Sequence, residues 1–141
     1  SGAVGIEALS RGAASVTFVE RNRRHVAILQ KNLDSLRASP SSFAFASATT
    51  IAVADAYAWL TRYAGPGFSI AFADPPYALG EEKGYAQVLA TLTERGVVRP
   101  NGLFVAEMTA GGGAEETPGW ELVRDRTYGK TRLCIWRRSQ V

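Results

Sequence analysis

Asp74, Pro75, Pro76 and Tyr77 stand together directly after the apolar run Phe68-Ser69-Ile70-Ala71-Phe72-Ala73. Within four residues they present a carboxylate, two exposed carbonyls and an aromatic ring. Ile70 and Phe72 are good strand formers in a run with few polar atoms, which reads as a central strand buried on both faces, as in a parallel sheet. Proline cannot donate to a ladder, so the strand must stop at Asp74. Pro75 also biases Asp74 towards extended backbone. The acceptors and the ring are thereby held stiffly at the carboxyl end of a strand, the edge at which open α/β sheets bind ligands. Taken alone, the tetrapeptide also reads as a strand end followed by an ordinary proline turn.

Asp74-Pro75-Pro76-Tyr77 resembles the (D/N)PP(Y/F/W) motif of S-adenosylmethionine-dependent amino-methyltransferases, which act on exocyclic amines of nucleobases or on amide nitrogens. The resemblance implies roles for the four residues as a catalytic group. An exocyclic base amine is a poor nucleophile because its lone pair is delocalised into the ring. The Asp74 carboxylate and a proline carbonyl, accepting from the amine N–H groups, hold the nitrogen tetrahedral and aim its lone pair at the methyl group. Tyr77 stacks on a base taken out of its helix.

A second stretch extends the resemblance. Ser1-Gly2-Ala3-Val4-Gly5-Ile6-Glu7-Ala8-Leu9-Ser10-Arg11-Gly12-Ala13 reads as the end of a glycine-rich turn followed by a helix, capped by Ser1 or Gly2 and ended at Gly12. It is similar to the second half of methyltransferase motif I in the bacterial 16S rRNA guanine-N2 methyltransferase (RsmD-like) family, where a first strand runs into D-x-F-A-G before this segment. That strand and turn are not in this sequence. The chain is therefore expected to be an N-terminally truncated domain and, as such, to bind cofactor weakly or not at all; the other reading is a small domain that begins at a helix. The expected fold is α/β, a Rossmann-like class I methyltransferase sheet that is parallel except for a C-terminal antiparallel hairpin, with the first, central strand missing, in one domain over residues 1–141.

The remaining elements follow from pattern. Ser15–Glu20 is a strand ending in an acid. In a Rossmann-like sheet an acid there accepts from the ribose hydroxyls of an adenosine cofactor; Glu20 also reads as an acid favoured by the dipole of the next helix. Arg21–Arg37 is a helix with Val26, Leu29, Leu33 and Leu36 on its apolar face. Arg21, Arg23, Arg24 and Lys31 read as a solvated face, and His25 as a surface residue without a role. Phe43-Ala44-Phe45 reads as a short strand or as packing within a loop. Thr49–Ala54 is the next strand, and Asp55 caps a helix over Ala56–Tyr63. In the family, an Asp-Ala at the position of Asp55-Ala56 lies beside the cofactor adenine. The resemblance thus implies cofactor contacts from Ser1, Gly2, Glu20, Asp55, Ala56 and Asp74. Tyr57 and Trp59 read as packing.

Gly65-Pro66-Gly67 is a turn into the central strand, and Ala78–Gly84 a polar loop that reads equally as a cover over substrate or a plain connection. Tyr85–Arg95 is a helix with Val88, Leu89 and Leu92 inward, ended by Gly96. Val97–Gly102 leads through a turn into a strand over Leu103–Met108. Gly111–Pro118 reads as a flexible surface loop. Trp120–Tyr128 and Thr131–Arg138 alternate apolar and polar about Gly129-Lys130, the pattern of a β-hairpin. Its arginines suit RNA phosphates and suit equally well the protection of an edge strand.

At 141 residues, 46% hydrophobic and 21% charged, the chain has the composition of a globular domain with a sizeable core. No apolar run is long enough to span a membrane. A single cysteine forbids an intrachain disulfide and fits a reducing cytoplasm; one His and one Cys argue against a zinc site. A net charge of +3 permits a nucleic-acid partner without demanding one. The expected function is methyl transfer from S-adenosylmethionine to the exocyclic N2 of a guanine in 16S ribosomal RNA, with the RNA or the small ribosomal subunit as partner, no metal, and a monomeric cytoplasmic protein. The alternatives are an amino-methyltransferase acting on DNA adenine N6 or a glutamine amide, and an inert RNA-binding fragment.

Overall fold

The computed structural model describes residues 2–38, 49–73, 85–109 and 116–140. Ser1, the Phe43–Phe45 segment, the Asp74–Tyr77 motif, the 78–84 loop and most of the 111–118 loop lie outside the described residues. The chain divides into two compact units, Ser1–Trp59 and Leu60–Val141.

The first unit is a parallel pair of strands with helices. Helix α1 (Ala3–Ser10) leads to β1 (Val16–Glu20), α2 (Arg23–Arg37), β2 (Thr49–Val53) and α3 (Ala56–Arg62), whose first turn falls in this unit. Strands β1 and β2 run parallel, Val16 opposite Thr49 and Glu20 opposite Val53. Phe18, Leu29 and Leu33 form the core, with Ile6, Val16 and Ile51 packed against them. Leu29 and Leu33 lie one helical turn apart on α2, and the apolar stripe read from the sequence is the buried one. Asn22 begins this helix, its side-chain oxygen accepting from the backbone N–H groups of Arg24 and His25.

The second unit is a four-stranded sheet in the order β3-β4-β6-β5. Strand β3 (Phe68–Ala73) is parallel to β4 (Val98–Thr109), while β5 (Trp120–Tyr128) and β6 (Thr131–Arg138) form the antiparallel hairpin. Gly129 has φ 61° and Lys130 is not among the positive-φ residues, the pattern of a type II′ turn, which suits the twist of the two strands. Helix α4 (Ala86–Glu94) buries Val88, Leu89, Thr91 and Leu92. The indole N–H of Trp120 donates to the Leu89 carbonyl at 3.1 Å and lies 2.9 Å from the Thr93 hydroxyl, tying β5 to this helix. The rings of Tyr85, Phe104 and Trp136 pack together at centroid separations of 5.6 to 5.9 Å. No helix among the described residues is long and apolar enough to cross a membrane.

Three sequence expectations change. First, β3 is not buried on both faces. It is the outermost strand of its sheet, and Ile70 and Phe72 are 59% and 38% exposed. Ala71 pairs with buried Phe104, so its face is the one α4 covers, and Ile70 and Phe72 point to the opposite face. Second, Arg99-Pro100-Asn101-Gly102 is not a turn before the strand but part of β4. The register breaks between Phe68 and Ile70, and Asn101 carries φ 65°, so the turn-forming residues make a bulge inside the strand. Third, Thr117 is buried and bridges to Trp120, so the last residues of the expected Gly111–Pro118 loop enter a tight turn.

Candidate functional site

The first unit gathers its chemical groups at one edge. Because β1 and β2 are parallel, both carboxyl ends lie there, and the Ala54 N–H donates to the Glu20 carbonyl at 3.1 Å. Glu20 ends β1, and Asp55 follows β2. Helix α1 runs back along β1, since a Cβ at Gly5 would lie 2.3 Å from the Phe18 ring and 3.0 Å from Val16, whereas one at Gly2 would meet Phe18 and Leu29. Its amino end therefore points to the Glu20 edge, and α2 and α3 also start there. Helix dipoles make such an edge favourable for ligand oxygens.

Gly2 sits at φ 82° as the cap of α1, and a Cβ there would approach Leu29 to 2.4 Å. The conformation and the close packing both require glycine. The Glu20 carboxylate is half-exposed, and its Oε1 lies 2.8 Å from His25 Nδ1. Asp55 accepts from the Ala58 N–H at 2.9 Å, capping α3 as read, and its other oxygen is 3.9 Å from the Arg21 guanidinium. Ala56 is the first residue of that helix. Gly2, Glu20, Asp55 and Ala56 are thus brought to one edge by the first unit alone. Ser1 and Asp74 lie outside the described residues.

Sequence reasoning missed the hand that His25 lays on Glu20, and the approach of Arg21 to Asp55. The signal was present: Asn22, a strong N-cap, starts a helix two residues after the strand, which brings the side chain of the first helical turn back over the strand end.

In the second unit, Ala73 ends the described part of β3, opposite Ala106 of β4. Asp74-Pro75-Pro76-Tyr77 follows immediately in sequence. Farther along the same sheet, Arg132 of β6 donates from Nε to Asp125 Oδ1 at 2.7 Å and from Nη2 to Oδ2. The guanidinium hydrogen bond holds the Asp125 carboxyl below its ordinary value. Cys134 is fully buried, and burial, followed by the Asp125 charge, pushes its thiol up to about 11. A thiol so placed is inert rather than nucleophilic.

Residues 1–137 match the family described as Conserved hypothetical protein 95. The chain belongs to this family, which is the RsmD-like one. It is 29% identical over 140 residues to the ribosomal RNA small subunit methyltransferase D of Escherichia coli K12, an alignment covering 99% of this chain and 65% of that protein. The chain spans just under two thirds of the length of the first curated relatives it matches, 63% and 65%. Among solved structures, a conserved hypothetical protein of Streptococcus pyogenes superposes with TM-score 0.83 at 22% identity, covering 98% of this chain and 80% of that one. A SAM-dependent methyltransferase of Neisseria gonorrhoeae gives TM-score 0.58 at 17% identity, covering 100% of this chain and 60% of its own. The fold of this RsmD-like family member is the Rossmann-like α/β fold of methyltransferases.

Proposed function

We propose that the full-length protein transfers a methyl group from S-adenosylmethionine to the exocyclic N2 of a guanine in 16S ribosomal RNA, and that residues 1–141 belong to a single catalytic domain. The observation that carries this reading is the convergence of Glu20 and Asp55 with three helix starts at one sheet edge, in a chain of this family that also holds an Asp-Pro-Pro-Tyr motif directly after β3. The curated relative described above is named as a methyltransferase of small-subunit ribosomal RNA, which favours that RNA as substrate.

The donor set fits the cofactor. His25 holds one oxygen of Glu20 and leaves the other for a ribose hydroxyl. Asp55, oriented by its capping bond to Ala58, faces the edge where an adenine amine would be read, with the Ala56 backbone beside it. The Gly2 turn, with Ser1 before it, lets the backbone come close to the methionine part. When bound, S-adenosylmethionine supplies a methyl group already activated by its sulfonium, so the protein's contribution is proximity and orientation. Asp74 and the Pro75 carbonyl accept from the guanine amine and aim its lone pair. Pro76 belongs to the same catalytic motif, and Tyr77 stacks on the base. Asp74 also borders the cofactor. The amine becomes acidic only as it is methylated, so no strong base is required before attack. The protein acts as a cytoplasmic monomer without a metal.

The test is transfer of labelled methyl groups by the full-length protein to 16S RNA, to 30S particles and to duplex DNA, with the product nucleoside identified. N2-methylguanine in the RNA is expected. Labelled adenine in DNA, or label on protein alone, would overturn the substrate assignment.

A further inference from the structure

The β5–β6 hairpin reaches as far as β4, whose Thr109 lies opposite Thr131, and passes the end of the described part of β3 at Ala73. Ala73, Ala106, Cys134 and Asp125 form one row across the sheet. Beyond that row β6 and β5 continue to the pair Thr131 and Tyr128, three residues farther, with Gly129-Lys130 at the turn. At the rise of a strand this is roughly 10 Å past Ala73, on the carboxyl side of the parallel strands.

What the tip carries is specific. Arg132 is spent on Asp125, through two bonds on the face that α4 covers. Arg126 and Tyr128 alternate onto the opposite face, and Tyr128 is 62% exposed. Arg126 and Lys130 are exposed and have no ion-pair partner among the described residues. Protection of an edge strand explains charge along β5, but it does not explain a bare aromatic ring at the tip, which by itself favours association. A ring between two exposed cations is the pairing that holds single-stranded nucleic acid, the cations on phosphates and the ring on a base face.

We infer that Arg126, Tyr128 and Lys130 form an RNA-docking prong that grips unpaired nucleotides flanking the target guanine. Arg126 and Lys130 each meet a backbone phosphate, and Tyr128 stacks on a neighbouring base. This rests on the RNA-methyltransferase reading above, and it adds a contact surface outside the Asp74–Tyr77 motif.

The experiment is fluorescence anisotropy of the full-length protein with a labelled RNA stem-loop bearing an unpaired guanine, across a range of salt, with methyl transfer to the same RNA followed in parallel. Loss of two phosphate contacts in R126Q/K130Q is expected to flatten the slope of log affinity against log salt by about 1.4. Tyr128→Ala is expected to weaken binding roughly 5- to 100-fold with the slope unchanged. The charge-matched pair R95Q/R99Q, both exposed and placed towards the amino end of β4, is the control, and it should keep the slope. All three are surface changes, and an unchanged thermal midpoint verifies folding. A slope in R126Q/K130Q equal to wild type, or an equal fall in the control, overturns the prong. The transfer arm separates the two ideas: active methyl transfer with unaltered tip-variant binding sinks the prong alone, whereas a flattened slope without any transfer supports the prong and sinks the catalytic reading.

Discussion

His25 Nδ1 lies 2.8 Å from Glu20 Oε1, so the first turn of α2 fixes the carboxylate at the end of β1. One carboxylate oxygen is held and one is presented. If that second oxygen receives a ribose hydroxyl, Glu20→Ala should weaken S-adenosylmethionine binding roughly tenfold or more, the worth of a hydrogen bond to a charged group. His25→Ala keeps the acceptor and loses only its orientation, so its effect should be a few-fold. Calorimetric titration of the full-length protein checks this. An unaltered affinity in Glu20→Ala would remove the residue from the cofactor site.

Asp74 is proposed as an acceptor rather than a base. Asp74→Asn retains an acceptor oxygen and should keep measurable single-turnover methylation, slowed because a charge-assisted hydrogen bond is about twice as strong as a neutral one. Asp74→Ala should be far slower. Equal inactivity in both variants, with cofactor and RNA still bound, would make the charge itself essential.

Tyr77 is proposed to act through its ring. Tyr77→Phe should retain most activity, and Tyr77→Ala should lose about 1–3 kcal/mol of base binding. An equal loss in both, measured as turnover, would assign the role to the hydroxyl.

Gly5 has no room for a methyl group: a Cβ would stand 2.3 and 2.7 Å from two atoms of the Phe18 ring, itself buried in the core. Gly5→Ala should therefore destabilise the first unit by about 1–3 kcal/mol, read by thermal or urea unfolding. A stability equal to wild type would mean that α1 is free to shift away from β1.

The Arg132–Asp125 pair gives a pH signature. The folded carboxyl of Asp125 titrates below its ordinary value of 3.8. Its stabilisation is thus fully present above that value and is lost as pH falls through the lower, folded one. The pair is partly exposed, which limits it to about 1 kcal/mol or less. Asp125→Asn should lower stability by that amount at pH 7 and by progressively less towards pH 2. A difference independent of pH would assign the effect to packing.

Local pattern was legible where it is decided locally. The α2 and α4 stripes and the hairpin about Gly129-Lys130 follow from periodicity and turn chemistry, and they stand in the structure as read. The burial of β3 was not legible, because whether Ile70 and Phe72 are covered depends on neighbouring elements rather than on the strand's own residues. Asn101-Gly102 carries the same signature in a turn as in a bulge, and only the register of β4 against β3 separates the two. Glu20 and Asp55 were legible as strand-end acids; the partners that orient them, His25 and Arg21, depend on the angle at which the chain enters α2.

Cys134 gives the protein an internal clock. It is the only cysteine in the chain, it has no exposed surface, and it sits mid-way along β6, a strand flanked by β4 on one side and β5 on the other. A thiol reagent can reach it only when the packing over that face of the sheet opens, so the labelling rate counts such openings one molecule at a time. Because nothing else in the sequence reacts, the four-stranded unit can be timed by mass alone, with no label or mutation introduced.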